Sequence, residues 1–86
     1  MNDFNIKVGD MVKLSLDYLD WHGHGGDENV RFSIESVKER VFVAKCIVQR
    51  NPGNSKFILG KTYVAAHNYF VPCSTKHKFK RRNSLV

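Results

Sequence analysis

Residues 40–50 read RVFVAKCIVQR, and the reading of the whole chain turns on them. The even positions Phe42, Ala44, Cys46 and Val48 form an apolar row at a spacing of two, while Val41, Val43 and Ile47 make the other side mostly apolar as well. Six of the eight residues from 41 to 48 are β-branched, aromatic or cysteine, which suits a pleated strand and not a helix. A strand apolar on both sides is expected to be covered on both faces and to lie in the middle of a small sheet.

Upstream, Lys38, Glu39 and Arg40 supply a tight turn, and before it Val30, Phe32 and Ile34 alternate with Arg31, Ser33 and Glu35 as a half-buried strand. Near the start, Phe4, Ile6 and Val8 alternate, Gly9-Asp10 interrupts, and Val12, Leu14 and Leu16 resume with Lys13 and Ser15 opposite. A first strand is expected at about residues 11–16. Residues 17–29, DYLDWHGHGGDEN, carry three of the six glycines, four of the eight acidic residues and the only tryptophan; they read as a long loop held down by Tyr18, Leu19 and Trp21. Downstream, Asn51-Pro52-Gly53-Asn54-Ser55 is a dense turn signal. A fourth strand is expected at 56–59, a break at Gly60-Lys61, a fifth strand at 62–66, one helical turn at His67-Asn68-Tyr69, and a last extended pair, Phe70-Val71, stopped by Pro72. From residue 74 the apolar pattern is lost, and residues 74–83, STKHKFKRRN, read as a flexible basic tail. The expectation is thus an all-β, small five- to six-stranded barrel over residues 1–73 with a long first loop, followed by a basic tail over 74–86.

Two stretches carry a family resemblance. Val8-Gly9-Asp10-Met11-Val12-Lys13-Leu14 resembles the opening strand of SH3-like small β-barrels, in which a Gly-Asp turn leads into strand one. Residues 60–72, GKTYVAAHNYFVP, are similar to the close of those barrels, where a single helical turn separates the last two strands. The resemblance spans most of residues 4–72. It implies an SH3-like fold of the broad superfamily that takes in KOW, Tudor, Sm-like and peptide-binding SH3 domains, whose members commonly bind RNA, ribosomal or polymerase partners, or peptides. The short, basic, single-barrel character also resembles accessory proteins of large bacteriophages.

Length and charge bound the function. Eighty-six residues make one domain, and a chain of this size buries only about two-thirds of its unfolded surface, leaving a thin core and no deep enclosed active site. The net charge of +6 and a pI near 9.6 call for an anionic partner, RNA or another nucleic acid first and an acidic protein second. The two cysteines, Cys46 in the apolar strand and Cys73 after Pro72, read as reduced thiols. No apolar stretch suits a cleaved signal or a bilayer span, so a cytoplasmic protein is expected, in the host cytoplasm if phage-encoded, with no membrane partner.

The tail residues Lys76, Lys78, Phe79, Lys80, Arg81 and Arg82 are the leading nucleic-acid candidates. Alternating cations suit phosphate spacing, Arg binds phosphate bidentately, and Phe79 offers a ring for base stacking; the plainer alternative is a run that only solvates the chain. Lys61 and Arg50, with Lys7, Lys13, Arg31, Lys45 and Lys56, would extend this path if they share a face. Tyr18, Trp21, His22 and His24 form a second candidate set, for a protein partner, since aromatics on loops are frequent interface anchors. His22 and His24 beside Asp27 and Glu28 also suggest a metal, but the remaining ligands would have to come from His67 or Cys73, and neither a metal nor another cofactor is expected. Gly60-Lys61-Thr62 lacks the first glycine and the following helix of a phosphate-binding loop, and no nucleophile pairs with a base, so an enzyme is not expected. The functional expectation is a non-enzymatic RNA-binding protein, and the alternative is a protein-interaction module such as a phage-encoded inhibitor of a host enzyme or RNA-processing toxin, with RNA as a bridge. Association through exposed strand edges would make an oligomer.

Overall fold

The computed structural model describes residues 4–22 and 26–76. The alternating stretches become five strands: β1 (Met11–Leu14), β2 (Arg31–Val37), β3 (Val41–Val48), β4 (Thr62–Ala66) and β5 (Phe70–Pro72). They pair antiparallel in one sheet of order β4-β3-β2-β1-β5. With one helix, α1 (Leu16–His22), this is a small β-rich domain.

Alternation decides which side of the sheet is core. Val12 and Leu14 of β1, Phe32 and Ile34 of β2, Phe42, Ala44 and Cys46 of β3, and Phe70 of β5 all point inward and are buried. The Phe32 ring sits edge-on to Phe57 and Phe70 with centroids 5.2 and 5.0 Å away, the geometry favoured by the ring quadrupoles. The pairing of β2 with β3 slips register between Arg31 and Phe32 and again between Ile34 and Ser36. Such bulges bend a strand and increase its twist, which lets a short sheet wrap around these rings.

The opposite side of β3 corrects the first expectation. Val41 and Val43 are only half-buried, while Lys45 and Ile47 are exposed, so β3 is covered on one face and not on both. It is an interior strand, but the middle place belongs to β2.

Residues 17–29 are not a long loop. Ser15 caps α1, its Oγ accepting the Tyr18 N–H at 3.2 Å, and the same hydroxyl donates to the Asn68 carbonyl at 2.6 Å. Asp17 falls in the first turn, where a negative charge meets the positive end of the backbone dipole. After α1, a short 3₁₀ helix (Asp27–Asn29) leads into β2. The strand expected at 11–16 therefore ends at Leu14, because Ser15 and Leu16 are taken by the helix start.

Nor do residues 56–59 form a strand. Phe57 turns into the core, but its carbonyl is bonded to Gln49 Nε2 at 2.6 Å, and the Ile58 N–H goes to the Tyr63 hydroxyl at 2.8 Å. Side chains satisfy this backbone in place of a ladder, which leaves five strands. The turns at 38–40 and 51–55 fall as expected, and so does the helical turn, a 3₁₀ helix at His67–Tyr69. Gly60 is needed where it stands: at φ +86° it donates to the Cys46 carbonyl at 2.8 Å and turns the chain into β4.

His67 ties the end of β4 to the turn between β2 and β3. Its Nε2 lies 2.8 Å from the Lys38 carbonyl and 3.3 Å from that of Val41. Since carbonyls only accept, Nε2 carries a proton, while the buried Nδ1 has no hydrogen-bond partner among the described residues. The ring lies 4.4 Å from that of Phe42. Both cysteines are free, Cys46 buried and Cys73 half-buried. Among the described residues no helix is long and apolar enough to cross a membrane.

Candidate nucleic-acid interface

The outer face of the sheet carries three cations on neighbouring strands. Lys13 of β1 stands directly opposite Arg31 of β2, and one row away Met11, Ser33, Lys45 and Thr62 line up across β1, β2, β3 and β4. Lys13 and Arg31 are there because odd positions of β1 and β2 face outward while Val12, Leu14 and Phe32 fill the core.

Their head groups meet carbonyls and no carboxylate. Arg31 Nη1 donates to the Glu28 carbonyl at 2.8 Å and to its neighbour Val30 at 3.0 Å. Lys13 Nζ donates to the carbonyl of Thr75. Neither cation has an ion-pair partner among the described residues. Two like charges facing one another across a strand pair are unfavourable on their own, and an anion bridging them would remove the repulsion.

The chain returns to this spot after the last strand. A turn in which the Thr75 N–H donates to the Pro72 carbonyl at 2.9 Å sends it back toward Lys13. There Thr75 and Lys76 border a shallow hollow of about 290 Å³ shared with Ser15, Leu16 and Asp17. Cys73 lies close enough to feel both cations: burial pushes its thiol up, and Arg31 and Lys13 partly oppose that shift.

Lys76 is exposed and follows Thr75, whose carbonyl accepts from Lys13. Lys78, Phe79, Lys80, Arg81 and Arg82 lie outside the described residues, as does His24. Arg50 is exposed just beyond β3, at the end of the sheet where β2 begins with Arg31. Lys61 is exposed at the start of β4, next to Thr62, which pairs with Lys45. Arg31, Arg50 and Lys61 stand toward one end of the sheet and Lys38 and Arg40 at the other; Glu35 lies beside Thr62 near Lys45, and Lys56 is exposed with its Nζ 5.5 Å from the Tyr18 ring centroid.

The second candidate set divides. Tyr18 is 7% exposed and packs at 5.2 Å against Tyr69 and 5.9 Å against Phe57, so it is a core residue and not a free anchor, because α1 turns its ring inward. His22 is exposed at the end of α1, with its ring 5.5 Å from Tyr18. Trp21 is 81% exposed. Among the described residues no three metal-ligating side chains converge.

Local pattern did not single out the Lys13–Arg31 pairing, which depends on register, though the outward placement of Lys13 is visible in the β1 alternation. No protein-family model, curated protein or solved structure matches this chain.

Proposed function

We propose that this chain is a non-enzymatic RNA-binding protein, and that its five-stranded sheet is a partly open SH3-like barrel in which the His67–Tyr69 turn joins the two edge strands. The polyanion path begins at Lys13 and Arg31, takes in Lys45, Arg50 and Lys61 toward the same end of the sheet, and runs through Lys76 into Lys78, Lys80, Arg81 and Arg82, with Phe79 stacking on a base. The observation that carries this reading is the facing pair Lys13 and Arg31, unpaired by any carboxylate among the described residues and joined through the Thr75 carbonyl to the segment that leads into the C-terminal cations. Binding of this kind is tolerant of sequence and weakens steeply with salt, because it is driven by release of condensed counterions.

A mobility-shift titration with single-stranded RNA over a range of salt concentrations tests it. Each phosphate contact removed lowers the slope of log affinity against log salt by about 0.7. Charge reversal at Lys80, Arg81 and Arg82, and separately at Lys13 and Arg31, is expected to lower both affinity and slope. Unchanged binding in the first variant removes the tail from the path, in the second the sheet, and in both the proposal itself.

A further inference from the structure

The free edge of β4 is built differently from the free edge of β5. Two bonds set its phase: Cys46 N–H donates to the Lys61 carbonyl at 2.9 Å, and His67 N–H to the Arg40 carbonyl at 3.2 Å. Because bonded and non-bonded pairs alternate along an antiparallel ladder, Tyr63 and Ala65 also bond to β3. The N–H and C=O groups of Thr62, Val64 and Ala66 therefore face away from the sheet. Natural sheets usually blunt such a row with a charge, a proline or a bulge. β5 ends in Pro72, but β4, TYVAA, has none of these devices, its register with β3 is unbroken, and Val64 is 65% exposed.

Beside this edge lies an open, mostly apolar groove of about 490 Å³, lined by Tyr18, Phe57, Tyr63 and Tyr69 and by β4 itself. A strand added to β4 would point alternate residues into the groove and the others outward beside Val64.

The charges around the edge select the strand. Lys56 lies in the groove with Nζ 5.5 Å from the Tyr18 ring centroid, and the Tyr18 hydroxyl, more than Asp27, holds its pKa above the ordinary value. Lys61 precedes β4, Lys45 pairs with Thr62, and Lys38 and Arg40 sit in the turn bonded to His67. The carboxylates near these cations are Glu35, 3.5 Å from the Thr62 hydroxyl, Glu39 in the turn, and the buried Asp27, which acts on Lys56. Cations prevail, and a net charge of +6 on each molecule opposes a second copy in the same place.

We infer that the edge of β4 and the adjoining aromatic groove take an extended acidic segment of a partner protein by strand addition, with apolar residues entering the groove and carboxylates facing the surrounding lysines and arginine.

The test uses the full chain and a fluorescein-labelled synthetic peptide in which Glu alternates with Val and Phe. Anisotropy is expected to report saturable binding. Affinity is expected to fall about tenfold or more when alternate peptide amides are N-methylated, when Lys replaces Glu, and in the variant Val64→Pro. Because the Val64 N–H faces away from β3, proline there removes no native ladder bond, so thermal unfolding and RNA binding of Val64→Pro are expected to stay as in the parent. Absence of peptide binding, equal binding of the N-methylated peptide, or a dimer of the parent chain abolished by Val64→Pro would each overturn the inference, and none of them touches the RNA reading.

Discussion

Lys13 and Arg31 face one another across β1 and β2, each bonded to a backbone carbonyl and neither to a carboxylate among the described residues. Opposite charges at such positions stabilise a sheet, while like charges weaken it. Removing one of the two charges, as in Lys13→Met, relieves the repulsion but gives up the bond to the Thr75 carbonyl, so stability is expected to change by at most about 1 kcal/mol in either direction, while RNA binding weakens. Urea unfolding and a mobility-shift assay on the same variant check the two together; a larger loss of stability without a loss of binding would show that the pair serves the fold.

Gly26 is held by close approach and not by backbone conformation. A Cβ there would lie 2.7 Å from Asn51 Cβ and 3.0 Å from the Asn54 carbonyl, and its N–H donates to that carbonyl at 3.2 Å. Next to it, the buried Asp27 accepts the Ser55 hydroxyl. Gly26→Ala is expected to cost about 1–3 kcal/mol by forcing these two loops apart, and Asn51→Gly is expected to restore part of it. Denaturant midpoints of the single and double variants measure the rescue.

Ser15 serves two elements with one hydroxyl. Ser15→Ala removes the cap of α1 and leaves the Asn68 carbonyl without its donor, for an expected loss of about 0.5–2 kcal/mol. Amide exchange at Tyr18 is expected to speed up in the variant more than exchange in β3.

Much of this architecture is open to pattern reading, and the exceptions have physical causes. Where one face is buried and the other wet, as at 31–37, or where the strand is rich in β-branched residues, as at 41–48 and 62–66, a period of two is plain. Helix α1 is hidden because Leu16 continues the spacing of Val12 and Leu14, and because the glycines after His22 draw the whole segment toward a loop. The bonds from the Tyr18 N–H to Ser15 Oγ and from the Leu19 N–H to the Ser15 carbonyl decide for the helix. Phe57 looks like part of a strand, yet Gln49 and Tyr63 take up the backbone around it. The aromatic groove was out of reach for another reason: Tyr18, Phe57, Tyr63 and Tyr69 come from four separate stretches and meet only after folding.

Alkaline pH acts on both thiols. Burial raises Cys46 and Cys73 above the ordinary value of 9.0, so the fold holds protons that the unfolded chain releases there. The stability tied to these groups is present in full below pH 9.0 and is lost as pH rises through the folded values. The double variant Cys46→Ala, Cys73→Ser is expected to lose less stability than the parent between neutral and alkaline pH. Parallel melts across that range check it, and alkylation of the native protein near pH 8 is expected to be slower than that of a free thiol, since the thiolate is the reacting form.

Trp21, the sole indole in the chain, is on the outside of α1. Its emission is therefore already that of a solvated ring and will change little when the core melts, so circular dichroism is the better probe of unfolding. By the same token, quenching or a blue shift in the native protein would report directly on a molecule arriving at that helix.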